Sequence, residues 1–313
     1  MASLRVISSL SRASARVSMP AVQQVLVRGM ATEKQIFNQI VSTKNIKKIT
    51  SSMKMVSAAK LKGDENRLAR ATAFNSWTGA FSSKAFPVED ATFEELPQKC
   101  LLVSFTSEKG LCGGVNSYVT RATRNIIKTM DKAGKECDVV IIGDKGRGQM
   151  KRFVPERIGA SLTDVVAPGT FALASGLATE LIQAGAADYD AVVMIYNEYV
   201  NAAVYKQMYK VIKPLKAETE EGEEILQTYE FEPDEKSEAL VDMYEFLLAS
   251  EVFHSFMDAA TSEQSSRMTA MENASKNANE MIDSLTLRYN RARQARITTE
   301  LIEIISGASA LED

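Results

Sequence analysis

The sequence contains few of the residue types on which most catalytic and metal sites depend. Its 313 residues include a single histidine, His254, and three cysteines, Cys100, Cys112 and Cys137. These cannot assemble the Cys/His sets of known zinc sites, whose ligands recur at short fixed spacings. Catalysis that relies on imidazole would have to centre on His254, which lies inside a helical pattern. The composition argues against a zinc protein and against most histidine-dependent enzymes.

Long apolar runs are also missing from the sequence. No stretch approaches the roughly 18 consecutive apolar residues that a membrane-spanning helix requires. The chain carries 37 basic and 40 acidic residues, whereas proteins that bind nucleic acid through its phosphates have an excess of basic ones. We therefore predict a protein that neither spans a membrane nor binds nucleic acid.

Acidic residues are absent from the first thirty positions. This stretch contains four arginines and six serines, and the first carboxylate along the chain is Glu33. An Arg- and Ser-rich segment without acids is typical of a mitochondrial transit peptide, whereas a secretory signal contains a continuous apolar block. We predict a transit peptide in residues 1–30, cleaved between Arg28 and Thr32, with a disordered tail as the alternative. In a reducing matrix the three cysteines are expected to be free thiols.

Glycine and proline are unevenly distributed along the rest of the chain. Neither occurs in residues 30–62, and Gly307 is the only one in residues 235–313, whereas the middle of the chain holds most of both. Segments without these residues predict long helices, and the punctuated middle predicts a globular unit. Helices are predicted over 32–61 and 236–311, and the second would be roughly 110 Å long at about 1.5 Å per residue. Such a helix must project from the globular unit.

Apolar residues recur at alternating steps of three and four along both long segments. In the first segment they are Ile46, Ile49, Met53 and Val56. In the second they are Met271, Ala274, Ala278, Met281, Leu285, Ala292 and Ala295, followed after a change of phase by Ile297, Leu301, Ile304, Ala308 and Leu311. A repeat of 3.5 residues is typical of helices wound around each other. We predict an antiparallel coiled coil of the two ends, with burial of separate helices against the core as the alternative.

The middle of the chain alternates strand-like and helix-like segments. Apolar strands are predicted at 100–105, 138–142, 191–196 and 205–212, and helices at 116–133 and 171–184. This order predicts a mainly parallel sheet in a Rossmann-like α/β domain. The acidic residues 217–224 are predicted to be a solvated hairpin or linker.

The predicted organisation follows from these segments. The transit peptide at 1–30 precedes an N-terminal coiled-coil helix at 31–90, an α/β domain at 97–233 and a C-terminal coiled-coil helix at 236–313. The fold class is therefore α/β, with a long antiparallel coiled coil attached to it.

Glycine-rich turns follow two predicted strands, at the position where α/β proteins bind phosphate. The glycines are Gly110, Gly113, Gly114, Gly143, Gly146 and Gly148. Neither group fits the dinucleotide fingerprint, and the P-loop motif occurs nowhere in the chain. We interpret them as tight turns and predict no cofactor. A nucleotide-dependent enzyme with a coiled-coil dimerisation arm remains the alternative, and Cys112 lacks the histidine that a cysteine nucleophile would use.

The first long helix carries an unusual charge. Between Glu33 and Asp64 there is no acid, but seven lysines occur, at positions 34, 44, 47, 48, 54, 60 and 62. These charges repel each other unless an acidic surface faces them. No aromatic residue lies between Phe37 and Phe74 to stack on bases, as single-stranded nucleic acid would require. An acidic protein partner is the favoured interpretation, and a solvated lysine face is the alternative.

The end of the second helix is different, because no basic residue follows Arg296 and apolar side chains dominate. An apolar, weakly charged tip fits a closely surrounding protein sleeve. The alternative is that this tip is the end of the coiled-coil core.

Three segments together resemble one known family. They are residues 44–60 (KNIKKITSSMKMVSAAK), residues 107–114 (SEKGLCGG) followed by Asn116, and residues 290–308 (NRARQARITTELIEIISGA). In this order they are similar to the gamma subunits of F-type ATP synthases, and the resemblance covers nearly all of the chain after residue 30. The third segment is the most specific.

The resemblance implies a non-catalytic rotor subunit that couples proton-driven rotation to ATP synthesis or hydrolysis. Its coiled coil would lie inside a ring of alpha and beta subunits. Its α/β domain would contact epsilon/delta-type subunits and the membrane c-ring, on the matrix side of the mitochondrial inner membrane. A passive coiled-coil scaffold is a further alternative.

The resemblance also implies roles for particular residues. Arg293 and Gln294 would contact a catch region of a beta subunit. Met53, Thr298 and Glu300 would lie at the coupling contact between the helices and the ring. The remaining implied contacts to the ring are Lys47, Lys48, Leu301 and Ile304.

Overall fold

A computed structural model describes residues 33–89, 91, 93, 96–165, 169–215 and 236–312. The predicted transit peptide at 1–30 and the predicted acidic hairpin or linker at 217–224 lie outside the described residues. Both therefore stay predictions.

The described residues form helices at both ends and alternating strands and helices between them. The helices are α1 (Glu33–Phe74), α2 (Val115–Lys132), α3 (Asp144–Met150), α4 (Phe171–Gln183) and α5 (Lys236–Glu312). The strands are β1 (Phe86–Pro87), β2 (Lys99–Phe105), β3 (Glu136–Ile142), β4 (Ile158–Leu162), β5 (Ala191–Asn201) and β6 (Val204–Ile212).

The six strands form one sheet in the order β1-β6-β5-β2-β3-β4. The four strands β5, β2, β3 and β4 are parallel, because helical crossovers connect them. Strand β6 is antiparallel to β5, since the two are joined by a tight turn in which Asn201 Oδ1 accepts from the amides of Ala203 and Val204, both at 2.9 Å. The predicted Rossmann-like domain is confirmed. Strand β4 and helix α3 were not predicted.

Helices cover both faces of the sheet. One face, with Leu102, Val139 and Val193, packs against α2. The other face, with Val103, Val140 and Met194, packs against α4 and the first half of α5. Burial on both faces explains why the central strands are continuously apolar rather than alternating.

The two terminal helices are much longer than the sheet is wide. Helix α1 has 42 residues and α5 has 77, which correspond to about 63 Å and about 115 Å. Helix α1 passes the predicted end at residue 61, runs through Gly63 and packs Leu68 and Ala71 into the domain core. None of the described helices combines the length and the apolar composition that a membrane-spanning segment needs.

Candidate functional site

Helices α1 and α5 pair side by side in opposite directions. Starting from the free end, Arg296 bonds Glu33 at 2.9 Å, and the rings of Tyr289 and Phe37 lie 6.0 Å apart. Further down, Glu272 bonds Lys54 at 3.3 Å, and His254 lies 3.3 Å from the hydroxyl of Thr72. From Phe37 to Thr72, each step forward along α1 is matched by an equal step backward along α5. The predicted antiparallel coiled coil is confirmed, and we call this pair the shaft.

The seam of α1 does not contain the residues predicted for it. Its buried residues are Ile36, Ile40, Thr43, Thr50, Ser57, Leu61, Asp64, Leu68 and Ala71. The predicted residues Ile46, Ile49 and Val56 are all more than half exposed, and only Met53 is half-buried. The 3.5-residue repeat was therefore correct, but it was assigned to the wrong stripe of the helix.

Small polar residues can occupy the seam because their hydroxyls bond within their own helix. The hydroxyl of Thr43 donates to the carbonyl of Gln39 at 2.8 Å, and that of Thr50 donates to the carbonyl of Lys47 at 3.0 Å. A buried hydroxyl that is hydrogen-bonded loses little by leaving water. Short side chains also let the two backbones approach closely.

The seam of α5 was predicted in part. Met271, Ala278 and Leu285 are buried as expected, whereas Ala295 is exposed. Met281 is 55% exposed, although its sulfur lies 3.9 Å from the hydroxyl of Thr43. The seam instead runs through half-buried Ser275, Ile282 and Tyr289. The apparent interruption at Arg288 disappears, because the neighbouring Tyr289 is the seam residue.

Helix α5 continues beyond the end of its partner. Past Arg296 it has no contact from α1 among the described residues, since α1 begins at Glu33. Five aliphatic side chains there are more than half exposed: Ile297, Leu301, Ile302, Ile304 and Ile305. We call residues 297–309 the tip. Among the described residues, the tip is therefore not part of the two-helix seam.

The predicted site residues fall into two separate groups. Lys47, Lys48 and Met53 lie midway along α1, where Lys54 faces Glu272. Exposed Arg293, Gln294, Thr298, Glu300, Leu301 and Ile304 lie at the free end of α5. At about 1.5 Å per residue, Glu272 is roughly 40 Å along the helix from Glu300. The structure therefore does not bring Met53 together with Thr298 and Glu300 at one contact.

Polar side chains in the second group bond within α5. The hydroxyl of Thr298 donates to the carbonyl of Gln294 at 2.9 Å. The carboxylate of Glu300 lies 3.4 Å from the guanidinium of Arg296, and both are well exposed. Such exposed pairs add little stability. Their side chains can exchange these bonds for bonds to another protein.

The lysine face of α1 is mostly without salt bridges. Lys54 is compensated by Glu272 across the shaft. The other six lysines are exposed and form no salt bridge within the described part of the chain. Beside them lie Ile46, Ile49, Met55 and Val56, which are all more than half exposed. This surface of lysines and aliphatic groups, which we call the outer face, was missed because its aliphatic residues were assigned to the seam.

The glycine-rich turns serve close packing of the chain. A Cβ on Gly143, which has φ of 108°, would lie 2.3 Å from the carbonyl oxygen of Thr106. A Cβ on Gly146 would lie 2.4 Å from the hydroxyl oxygen of the same threonine. These contacts leave no space for a side chain. The tight-turn interpretation accounts for both glycines.

Asn116, at the start of the helix predicted over 116–133, does not cap that helix, because α2 begins at Val115 and its cap position is Gly114. The side chain of Asn116 instead accepts from the amide of Ser107 at 2.8 Å and donates to Ser107 Oγ and Cys112 Sγ. Burial raises the pKa of the Cys112 thiol. A reactive cysteine has the opposite shift.

A cavity of about 280 Å³ lies between the carboxyl ends of β2, β3 and β5 and the shaft. Parallel α/β sheets bind small molecules in this place. Part of its charged lining is bonded to the protein itself: Glu108 accepts from the amides of Asp144 and Val165 at 3.4 and 3.3 Å. Arg267 bonds Glu263 across one helical turn.

A buried acidic group lies where the shaft joins the domain. Asp258 is 3% exposed, accepts from the amide of Tyr199 at 3.3 Å and lies 3.5 Å from His254 Nδ1. Burial raises the pKa of Asp258 to about 7, and the charge of Glu198 adds to the shift. Burial also lowers the pKa of His254. The folded protein therefore holds a proton on Asp258 more tightly than the unfolded chain does.

This shift predicts a pH-dependent effect of Asp258→Asn. Because the folded pKa is raised, Asp258 favours folding at low pH, and that contribution is lost as pH rises from about 4 through about 7. The neutral amide should raise the Tm of the isolated chain at pH 8 by roughly 5 °C, and the gain should vanish by about pH 4. Thermal unfolding at both pH values measures it, with exposed Asp283→Asn as the control. An equal Tm change at the two pH values would contradict the assignment.

Comparisons with known proteins agree on one family. A family model described as ATP synthase matches residues 32–311. The chain is 40% identical over 283 residues to the ATP synthase F(1) complex subunit gamma, mitochondrial, of Rattus norvegicus, covering 90% of this chain and 100% of that protein. It is 42% identical over 285 residues to the mitochondrial ATP synthase subunit gamma of Drosophila melanogaster, covering 91% and 92%.

A solved structure is similar as well. The cryo-EM structure of the central stalk/c-ring of the Tetrahymena thermophila mitochondrial ATP synthase contains a chain that matches with a TM-score of 0.59. The two chains are 28% identical, and the match covers 72% of this chain and 99% of that one.

Proposed function

Because this chain belongs to the family of ATP synthase gamma subunits, we propose that its shaft and tip form the axle that turns inside the ring of alpha and beta subunits. The chain is the central-stalk rotor subunit, which couples proton-driven rotation to ATP synthesis or hydrolysis. It is a non-catalytic subunit of that complex.

The exposed tip is the observation that supports the axle most strongly. Residues 297–309 present aliphatic side chains on a single helix, and no part of α1 covers them. A monomeric soluble protein rarely exposes a continuous apolar surface of this kind. A closely fitting protein sleeve would remove it from water, as the inside of a ring would.

We assign the proposed partners by the position of each surface. The tip and the outer face would meet alpha and beta subunits, and acidic segments of beta would face the lysines. The α/β domain would contact epsilon/delta-type subunits and the c-ring. The chain is a mitochondrial protein, and we propose that it is peripheral to the inner membrane on the matrix side, after cleavage of residues 1–30.

Two levels of contact with the ring are proposed for the site residues. Arg293 and Gln294 would contact the catch region of a beta subunit, with Thr298, Glu300, Leu301 and Ile304 just beyond. Lys47, Lys48 and Met53 would form a second contact about 40 Å lower on the shaft. Domain limits of 31–90, 97–233 and 236–313 are proposed for helix, domain and helix.

The chemistry of the shaft explains how it could give the three chemically equal nucleotide sites of the ring different affinities. Its sides differ, because the outer face carries lysines and aliphatic residues while α5 carries Glu272 and Asp283 on other surfaces. Each tenfold difference in nucleotide affinity requires about 1.4 kcal/mol of differential contact free energy. Burying one aliphatic side chain contributes about 1.5–3 kcal/mol. A few contacts that change as the shaft turns are therefore sufficient.

The experiment that tests the function uses the assembled complex. A tagged copy of this chain should co-purify with alpha and beta subunits. The complex, placed in vesicles, should pump protons when ATP is added. A probe on the α/β domain should rotate during hydrolysis. Nucleotide binding by the isolated chain, without any associated ring subunits, would instead favour the nucleotide-dependent enzyme.

Met53→Lys is expected to weaken coupling. The new ammonium would lie beside Lys54 and compete for Glu272, which bonds Lys54 at 3.3 Å. A repulsive charge at a protein contact costs on the order of 1 kcal/mol, so ATP synthesis at a fixed proton gradient should fall by about fivefold. Met53→Gln is the matched control, because it keeps the length without the charge. Normal synthesis by Met53→Lys would exclude a ring contact at this level.

A further inference from the structure

Helix α5 changes its surroundings abruptly where it leaves the α/β domain. From Leu247 to Met268 no position of the helix is exposed, and from Thr269 onward it has exposed positions again. Torque that acts on the shaft must pass to the domain across this boundary. The contacts at this level therefore add to the core packing of α1 and α5 in making the two parts turn together.

Four hydrogen-bonding side chains within residues 262–267 mark this boundary. We call Ser262, Ser265, Ser266 and Arg267 the collar, and each is less than one-tenth exposed. The serine hydroxyls donate to the carbonyls of Asn197 at 2.9 Å, Ala202 at 2.8 Å and Cys112 at 2.7 Å. Arg267 donates to the carbonyls of Lys109 and Gly110, both at 3.4 Å.

All these acceptors are backbone carbonyls: that of Asn197 lies in strand β5, and the others come from two different loops. One loop is the end of the β5–β6 hairpin, and the other is the segment between β2 and α2. At about 100° per residue, the four side chains span roughly 200° of the helix surface. Contacts on more than half of the circumference resist rotation of the helix in either direction.

Both loops are themselves held in place. In the β2–α2 loop, Ser107 Oγ donates to the carbonyl of Lys109 at 2.7 Å and accepts from Asn116 at 2.7 Å. In the hairpin, Asn201 bonds two successive amides. The acceptors are thus fixed to the sheet, so a displaced helix would break hydrogen bonds instead of carrying the loops along.

We propose that the collar is the joint that transmits torque between the shaft and the α/β domain, with Ser262, Ser265, Ser266 and Arg267 as its positioning residues. This proposal rests on the proposed rotor function and names the place where torque passes from the shaft to the domain. The coiled-coil seam holds α1 to α5, and the collar ties α5 to the sheet and loops of the domain at the level where the shaft emerges.

The test compares proton pumping with ATP hydrolysis in the complete complex in vesicles. The combined variant Ser262→Ala, Ser265→Ala, Ser266→Ala should allow slip, so that fewer protons are pumped for each ATP hydrolysed. Because a lost hydrogen bond weakens an equilibrium by roughly threefold to tenfold, we expect this ratio to fall at least about twofold. The fall should become larger as the opposing proton gradient increases.

A second variant changes the same joint at the β2–α2 loop. A Cβ on Gly113 would lie 2.7 Å from Ser266 Oγ, at a backbone φ of 62°. Gly113→Ala should therefore reproduce the load-dependent fall in protons pumped for each ATP hydrolysed. It tests the joint even if the triple variant does not assemble. Thr261→Val is the control, because that buried hydroxyl donates within its own helix, to Met257 at 2.8 Å.

The outcomes separate the possible explanations. A lower ratio that depends on load supports the joint. An unchanged ratio, or hydrolysis and pumping that fall in the same proportion as assembly, overturns it in favour of a purely structural collar. If the unaltered chain does not enter the complex or support pumping at all, the proposed function fails instead.

Discussion

The double substitution Leu301→Asp, Ile304→Asp is expected to abolish most ATP synthesis while leaving the isolated chain as stable as before. These side chains are 56% and 69% exposed on the tip. Changing them removes little burial from the folded monomer. In the complex, each buried aliphatic side chain would contribute about 1.5–3 kcal/mol, and a carboxylate in its place would add a desolvation cost. We expect at least a tenfold loss of synthesis and weaker assembly.

The control is Val241→Asp, on the same helix at the opposite end. Val241 is also about half exposed, at 51%, but it lies beside the α/β domain, away from the tip. Synthesis rates, native gels of the complex and the Tm of the isolated chain give the comparison. Wild-type synthesis by the double variant would mean that no sleeve encloses the tip. A matching fall in Tm would mean that the tip is part of the core of the isolated chain.

The architecture was predictable because it depends on the distribution of glycine and proline. Their scarcity in the two ends allowed helices of 42 and 77 residues, and their abundance in the middle matched a domain of short elements. The two elements that were missed are also explained by their own residues. Helix α3 (DKGRGQM) was missed because it contains two glycines. Strand β4 (IGASL) was missed because glycine, alanine and serine carry little strand preference.

The facing surfaces of the shaft were not predictable from hydrophobicity. Two stripes of α1 follow the same 3.5-residue repeat, one through Ile46 and Ile49 and the other through Thr43 and Thr50. In a free coiled coil the aliphatic stripe would be buried. Here the polar stripe is buried, as expected if other chains cover the aliphatic one. A heptad of small hydroxyl residues at 43, 50 and 57 was the available signal.

The collar and the cluster around Asp258 had no signal in the sequence. Serines inside a helix are common, and their partners here are carbonyls more than sixty residues away along the chain. The raised pKa of Asp258 comes from burial that only the assembled core produces. Local patterns predict elements, whereas contacts between side chains and distant backbone depend on how those elements pack.

The substitution Leu285→Asp is expected to open the free end of the shaft. Leu285 is buried against Ile36 and Ile40, with Tyr289 and Ala292 alongside, in a small cluster separate from the domain core. A two-helix seam has no further layer that could compensate for a buried carboxylate. The loss should be about 3 kcal/mol, which corresponds to roughly hundredfold faster amide exchange over residues 36–43. Amides of the sheet should exchange as before, because the domain has its own core.

Leu287→Asp is the matched control, two residues away on the same helix. Leu287 is 63% exposed, so the same chemical change there should leave exchange over 36–43 unaltered. If both variants open the shaft equally, charge alone would be responsible and the seam assignment would be wrong. If Leu285→Asp alone opens it, the coupling of the complex should fall with it, because an axle that separates at its free end cannot hold the outer face and the tip in a fixed orientation.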